Sequence, residues 1–220
     1  CVPRRHRHEL PHTARSCRGR LTVRRKPREP GLRVFLTGFM GSGKTTVGRA
    51  LGAALGWPFV DLDAEVEARA AMTVREVFAR LGEPAFRELE HEALQRVLAE
   101  PDPAVVATGG GTFTFERNLT LVRGAGVSVW LNPAFATIIS RIGALGKQDR
   151  PLFRNEVEAL ALYRARLPAY GEADHRVDVG AQETPEEVAA RVAVWLQRAG
   201  SLSGGPVGAR GNSPGGAGEG

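Results

Sequence analysis

Cysteine is nearly missing from this chain. Its 220 residues hold two, Cys1 and Cys17, and both lie in the N-terminal stretch. That excludes a disulfide framework and a cysteine metal site from everything downstream. A cysteine-free remainder suits a reducing compartment, and a cytoplasmic location is expected. Long apolar runs are missing as well. None approaches the ~20 residues of a membrane-spanning helix, so no membrane partner is expected. The N-terminal stretch lacks the apolar region of a secretory signal. No internal repeats are seen. A basic domain is missing too, although the pI near 10.1 suggests one. Residues 1–30 hold ten of the 30 Lys+Arg and two of the 24 Asp+Glu, a net +8. The other residues hold 20 basic and 22 acidic side chains, a net −2. The basicity belongs to that stretch, which carries no nucleic-acid motif, so nucleic acid is not an expected partner.

What is present is an ordinary globular composition, 42% hydrophobic and 25% charged, in a chain long enough for one domain with a substantial core. Residues 1–30, rich in Pro, Arg and His without apolar periodicity, are expected to be a disordered extension. Residues 201–220, dominated by Gly, Ser and Pro, are expected to be a flexible tail. The domain is placed at 31–200. Within it, short apolar runs alternate with helix-length patterns. Strands are predicted at Arg33–Thr37, Phe59–Leu62, Ala104–Thr108, Val127–Leu131 and His175–Val179. Helices are predicted to begin near Lys44, Asp63, Thr73, Pro84, Glu116, Pro133, Asn155 and Pro185. This alternation predicts an α/β fold, a five-stranded parallel sheet with helices on both faces. Thr73-x-x-Glu76 reads as a capping box, and Thr184-Pro185-Glu186-Glu187 as an N-cap with proline at the first helical position. Val188, Val192 and Trp195 read as the core face of the last helix, and Trp57, Trp130 and Phe35 as packing residues.

The strongest motif is Gly38-Phe39-Met40-Gly41-Ser42-Gly43-Lys44-Thr45, which fits G-x-x-x-x-G-K-[ST] at every fixed position. A strand pattern precedes it and a helix pattern follows, as a phosphate-binding loop requires. Backbone N–H groups of Gly41, Ser42, Gly43, Lys44, Thr45 and Thr46 would face phosphate oxygens at a helix N-terminus. Lys44 would reach the β- and γ-phosphates of ATP, and the Thr45 hydroxyl would ligate Mg²⁺. The second strand ends in Asp61-Leu62-Asp63. Alternation along a strand sends the two carboxylates in different directions. Asp61 suits Mg²⁺ through its water shell. Asp63 either faces an acceptor hydroxyl and activates it, or simply caps the next helix, or does both. Arg87 opens a helix. Gly109, Gly110 and Gly111 follow a strand and permit close approach of backbone to a ligand. Residues 141–152 are polar and Gly-containing and read as a mobile lid, with Arg150 placed to close over transferring phosphate charge. Arg166, near a helix end, suits bidentate capture of a carboxylate.

Taken in order and at these spacings, the motifs resemble the shikimate kinase family. They are G-F-M-G-S-G-K-T-T-V-G at 38–48, F-V-D-L-D at 59–63, G-E-P-A-F-R at 82–87, T-G-G-G at 108–111, D-R-P-L-F at 149–153 and R-L-P-A-Y at 166–170. The resemblance runs from about Val34 to Leu196. It implies a P-loop kinase fold with a lid, and transfer of the ATP γ-phosphate to the 3-hydroxyl of shikimate, with Mg²⁺. It implies that Lys44 and Thr45 serve ATP and Mg²⁺, with Asp61 in the metal's outer shell. Asp63 would bind the acceptor hydroxyl and act as base. Arg87 and Arg166 would hold the substrate carboxylate. Gly109, Gly110 and Gly111 would line the pocket, and Arg150 would meet the phosphate from the lid. Arg141 falls near the family's adenine-stacking arginine. A monomer is expected. Two other readings are a gluconokinase-like P-loop enzyme and a non-catalytic nucleotide-binding module. The first would not be expected to share the triple glycine with Arg87 and Arg166, and the second should have lost Lys44, Asp63 or Arg150.

Overall fold

The computed structural model describes residues 31–145 and 155–201. The two terminal stretches and the Arg150 segment of the expected lid lie outside the described residues. Five strands form one parallel sheet: β1 (Arg33–Thr37), β2 (Phe59–Asp61), β3 (Ala104–Ala107), β4 (Gly126–Pro133) and β5 (His175–Val179). Their spatial order is β2-β3-β1-β4-β5, parallel at every pairing. The chain leaves β1 toward one edge and later crosses to the other. β1 is therefore central, and its carboxyl end is the switch point at which such sheets bind ligands.

Why the strands are buried follows from their residues. All five side chains of β1 are buried, because helices cover both faces. Val34 and Leu36 point into one core with Val105, Val129, Leu131 and Val177. Against it pack α1 (Lys44–Leu55), through Val47 and Leu51, and α8 (Pro185–Arg198), through Val188, Val192 and Leu196. Phe35 and Val106 point the other way. That second core is closed by α2 (Leu62–Ala70), α3 (Val74–Arg80), α4 (Gly82–Ala99) and α5 (Glu116–Ala125). A third cluster, with Phe39, Trp130, Ile138, Ile142 and Tyr170, joins the loop after β1 to α6 (Phe135–Leu145) and α7 (Glu156–Tyr170). Trp130 is buried as expected, and Trp57 and Trp195 pack partly buried on the first core.

Local signals explain most boundaries. Both capping boxes form, Thr73 with Glu76 and Thr184 with Glu187. Some boundaries differ from expectation, and β3 ends at Ala107, one residue before the expected Thr108. α4 starts at Gly82 instead of Pro84, because proline is tolerated anywhere in a first turn, where its missing N–H has no partner to lose. β4 reaches Pro133, and α6 begins two residues later, because Asn132 and Pro133 still pair with Asp178 and Val179 of β5. β2 stops at Asp61, and α2 begins at Leu62. Among the described residues, no helix is long and apolar enough to cross a membrane.

The turn from α5 into β4 gives a test of this packing. A methyl group on Gly126 would stand 2.0 Å from the Arg33 carbonyl oxygen, a backbone atom held in the β1–β4 ladder. A methyl group on Gly124, two residues earlier, would meet nothing within 4 Å. Gly126→Ala is expected to lower stability by about 1–3 kcal/mol, the usual range for overpacking. Gly124→Ala is expected to be neutral or to raise stability by up to ~1 kcal/mol through helix propensity. Denaturant melts of the two variants check this. Equal stabilities would show that the α5–β4 turn is looser than described.

Candidate active site

The phosphate loop leaves β1 and turns directly into α1. Gly41 and Gly43 hold φ values of 76° and 97°, left-handed conformations that glycine adopts without strain. Gly43 is also the N-cap of α1 and offers no side chain, so the first N–H groups of the helix remain turned toward the loop. Lys44 reaches back over the loop and donates from Nζ to the carbonyls of Gly38 (2.9 Å) and Phe39 (3.1 Å). The Thr46 hydroxyl donates to the Gly43 carbonyl at 3.0 Å. The loop forms the floor of a cavity of about 570 Å³ that Gly41 to Val47, Asp61, Asp63 and Arg141 all line. The Arg141 Nη1 lies 3.7 Å from where a Gly43 methyl group would stand, which brings α6 over the loop. Val179, Glu183, Pro185 and Val188 make the far wall.

The two carboxylates after β2 divide their work in a way the sequence left open. Asp61 caps α2, for its Oδ1 accepts the Asp63 N–H at 3.1 Å. Its other oxygen accepts the Thr45 hydroxyl at 2.8 Å. The capping alternative for Asp63 is thereby removed, since the helix starts one residue before it. A Thr45 hydroxyl that donates to Asp61 keeps its lone pairs for a cation. Hydroxyl and carboxylate are hard oxygen donors of the kind that suits Mg²⁺. Among the described residues, no group of three or more His, Cys, Asp or Glu could hold a metal. Two protein donors beside a phosphate loop fit a cation that keeps several waters and takes phosphate oxygens. Asp63 itself is partly buried. Burial first, then the Asp61 charge, push its carboxyl up to about 6, while Lys44 pulls it down.

Behind the phosphate loop, the three glycines make a wall against which charged side chains are pressed. A methyl group on Gly109 would stand 2.4 Å from Glu90 Oε1 and 3.1 Å from Asp63 Oδ1. One on Gly110 would stand 3.4 Å from Arg166 Nη1, and one on Gly111 2.8 Å from Arg87 Nη2. The triple glycine thus gathers Asp63, Arg87 and Arg166 about one stretch of backbone. Arg87 is buried on α4. It donates to Glu83 Oε1 through Nε (3.2 Å) and Nη2 (2.8 Å), and to Glu90 Oε2 through Nη1 (3.2 Å). Glu90 is fully buried and also accepts the Thr112 hydroxyl at 2.7 Å. Arg87 further packs over the Phe115 ring at 5.0 Å. Arg166 is buried on α7, one turn before Tyr170.

The expected residues therefore fall into two adjoining groups. Gly41 through Thr46, Asp61, Asp63 and Arg141 share the cavity; Gly109, Gly110, Gly111, Arg87 and Arg166 form the wall beside it, and Asp63 belongs to both. Arg150 lies outside the described residues. Several participants escaped the sequence reading. Glu83, Arg87 and Glu90 stand at i, i+4 and i+7 on one helix, a spacing that could have signalled Glu90 as a buried partner. Thr112 and Glu183 carried no signal beyond a position after a strand, and Pro185 signalled only the start of a helix.

Comparisons with known proteins agree with this geometry. The sequence model of the shikimate kinase family matches residues 40–197. The shikimate kinase of Geobacter sulfurreducens is 45% identical over 170 residues, which cover 76% of this chain and 92% of that protein. The structure of shikimate kinase from Acinetobacter baumannii in complex with shikimate superposes with a TM-score of 0.72 at 30% identity, over 79% of this chain and 97% of that one. A gluconokinase from Sinorhizobium meliloti reaches a TM-score of 0.55 at 20% identity, over 79% of this chain and 95% of that one, a likeness of fold alone.

The raised Asp63 carboxyl makes a prediction about stability. Its folded value of about 6 lies above the ordinary 3.8, so folding disfavours the ionised form. The folded protein then binds more protons than the unfolded chain between those values, and the wild type loses stability as pH rises through that window. Asp63→Asn removes the ionisation. The variant is expected to gain stability relative to wild type as pH rises from 3.8 to 6, with the gain constant above that window and absent below it. Thermal melts of both proteins across this range check it. A variant less stable at every pH would show that Asp63 has a structural role.

Proposed function

We propose, for a chain that belongs to the shikimate kinase family, that the reaction is transfer of the ATP γ-phosphoryl group to the 3-hydroxyl of shikimate, giving ADP and shikimate 3-phosphate. The observation that carries this reading is the convergence of Asp63, Arg87 and Arg166 on the glycine wall beside the phosphate loop. An acceptor with one carboxylate and several hydroxyls matches that inventory. Arg87 and Arg166 hold the carboxylate, each through charge-assisted hydrogen bonds. Glu83 is the exposed partner of Arg87 and yields to the substrate, while the buried Glu90 keeps the guanidinium aimed.

The chemistry asks for positioning more than covalent work. The loop N–H groups and Lys44 hold the phosphates in line. Thr45 and Asp61 are the residues that would hold Mg²⁺, which when bound with ATP neutralises phosphate charge. Asp63 orients the acceptor hydroxyl and takes its proton as the oxygen bonds to phosphorus and the bond to the ADP oxygen breaks. A carboxyl at about 6 is ionised at neutral pH, yet more basic than an ordinary aspartate. Arg141 lies against the nucleotide side of the cavity, and the role of meeting the transferring phosphate is the one the family resemblance assigns to Arg150. The enzyme acts as a monomer in the cytoplasm, with no nucleic-acid partner.

A coupled ADP-release assay with shikimate, quinate, gluconate and no acceptor tests the reading. Turnover with shikimate and Mg²⁺ is expected, and turnover with gluconate instead would overturn it. In the same assay Arg87→Ala and Arg166→Ala are expected to raise the shikimate KM roughly tenfold or more, the loss of a hydrogen bond to a charged group, with the ATP KM nearly unchanged. Asp63→Asn is expected to lower kcat by ~10²–10⁴ in a protein that still binds ATP. Equal loss of ATP affinity in all three variants would contradict this division of roles.

A further inference from the structure

Tyr170 stands among the site residues without a role in the chemistry above. It ends α7, and its side chain is completely buried. A buried phenol needs a partner for its O–H. Here the hydroxyl donates to the carbonyl of Gly110, 60 residues away in sequence, at 2.6 Å. The ring is itself held, tilted against Trp130 of β4 with centroids 5.9 Å apart, in the cluster that includes Phe39, Ile138 and Ile142. The hydroxyl is thus a fixed point supplied by the core. Burial also pushes the phenol up to about 12, so it remains a donor at neutral pH.

Holding one carbonyl orients a whole peptide plane. In a trans peptide the C=O of residue 110 and the N–H of residue 111 point in opposite directions. Among the described residues no peptide is cis. A Gly110–Gly111 peptide has little preference of its own, since neither residue has a Cβ to restrict it. Tyr170 removes that freedom, because its hydroxyl holds the Gly110 carbonyl toward α7. Arg166 precedes Tyr170 by four residues on the same helix and so shares its face. Its Nη1 lies 3.4 Å from where a Gly110 methyl group would stand. One end of α7 therefore sets both a guanidinium and a backbone peptide at the wall.

We propose that Tyr170 is a positioning residue for the acceptor, its hydroxyl fixing the Gly110–Gly111 peptide of the wall beside Arg166. The proposal rests on the shikimate kinase reading above. Tyr170→Phe keeps the buried ring and removes only the hydroxyl. It is expected to raise the shikimate KM about three- to tenfold, the range for one lost neutral hydrogen bond, with the ATP KM unchanged and kcat altered less than KM. Tyr163→Phe is the control, because it removes the other phenol of α7, which donates to Asn132 at 3.2 Å away from the wall. It is expected to leave the shikimate KM at the wild-type value. In the unaltered protein, the Gly111 amide NMR signal is expected to shift and its hydrogen exchange to slow on addition of shikimate, a measurement that survives any failure of Tyr170→Phe to fold. A wild type that does not phosphorylate shikimate overturns the functional reading itself. With an active wild type, an unchanged KM in Tyr170→Phe, an equal rise in both variants or an unmoved Gly111 signal overturns the role of Tyr170 alone.

Discussion

Close approach at Gly109, Gly110 and Gly111 is the constraint on which the site depends. Three successive residues without a Cβ let charged side chains from α2, α4 and α7 meet one backbone segment. At Gly109 the space for a methyl group is already taken by the carboxylates of Glu90 and Asp63 and by the Thr112 hydroxyl. At Gly110 the neighbours are Arg166 and, across the wall, the Met40 nitrogen and Gly38 carbonyl of the phosphate loop. At Gly111 the guanidinium of Arg87 lies flat against the chain. The wall follows β3, the strand beside β1, so the sheet register decides how near it stands to the phosphate loop. The wall and the phosphate loop are thereby joined through close backbone contact.

Two aspartates one residue apart serve opposite ends of this arrangement. Each Asp61 oxygen accepts one bond, one from the first turn of α2 and one from Thr45 at the head of α1, and keeps a lone pair beside the loop. That double use ties the acceptor-side helix to the phosphate loop and presents the Thr45 lone pairs. Asp63 is left without a capping duty, in a sheltered position beside other carboxylates, and its raised carboxyl follows from that position. Had Asp63 been the cap, the backbone N–H groups would have lowered its carboxyl and weakened it as a base.

The buried arginine on α4 follows a similar logic. Arg87 is held by Glu83 and Glu90, and the second of these is fully buried. A buried ion pair gains little net stability, because desolvation offsets attraction. Its benefit here is direction: Glu90, itself fastened by Thr112, leaves the guanidinium a single orientation along the Gly111 backbone. Tyr170 does for the Gly110 carbonyl what Glu90 does for Arg87.

The sequence by itself determined the architecture and brought together the residues from which the site is proposed. Alternating apolar runs and helical patterns, two capping boxes and a complete phosphate-loop motif each act within a few residues, so they can be read from local order. Five strands, helices on both faces and the residues of loop, wall and arginine pair were legible for that reason. Only the tertiary structure decided which aspartate caps α2, because Asp61 and Asp63 are chemically alike and the helix start depends on where β2 leaves its pairing with β3. Only the fold joined Glu90 to Thr112 and Tyr170 to Gly110, since these partners lie 22 and 60 residues away in sequence. Such contacts are set by sheet order and helix packing, which bring distant residues together through burial that no local pattern encodes.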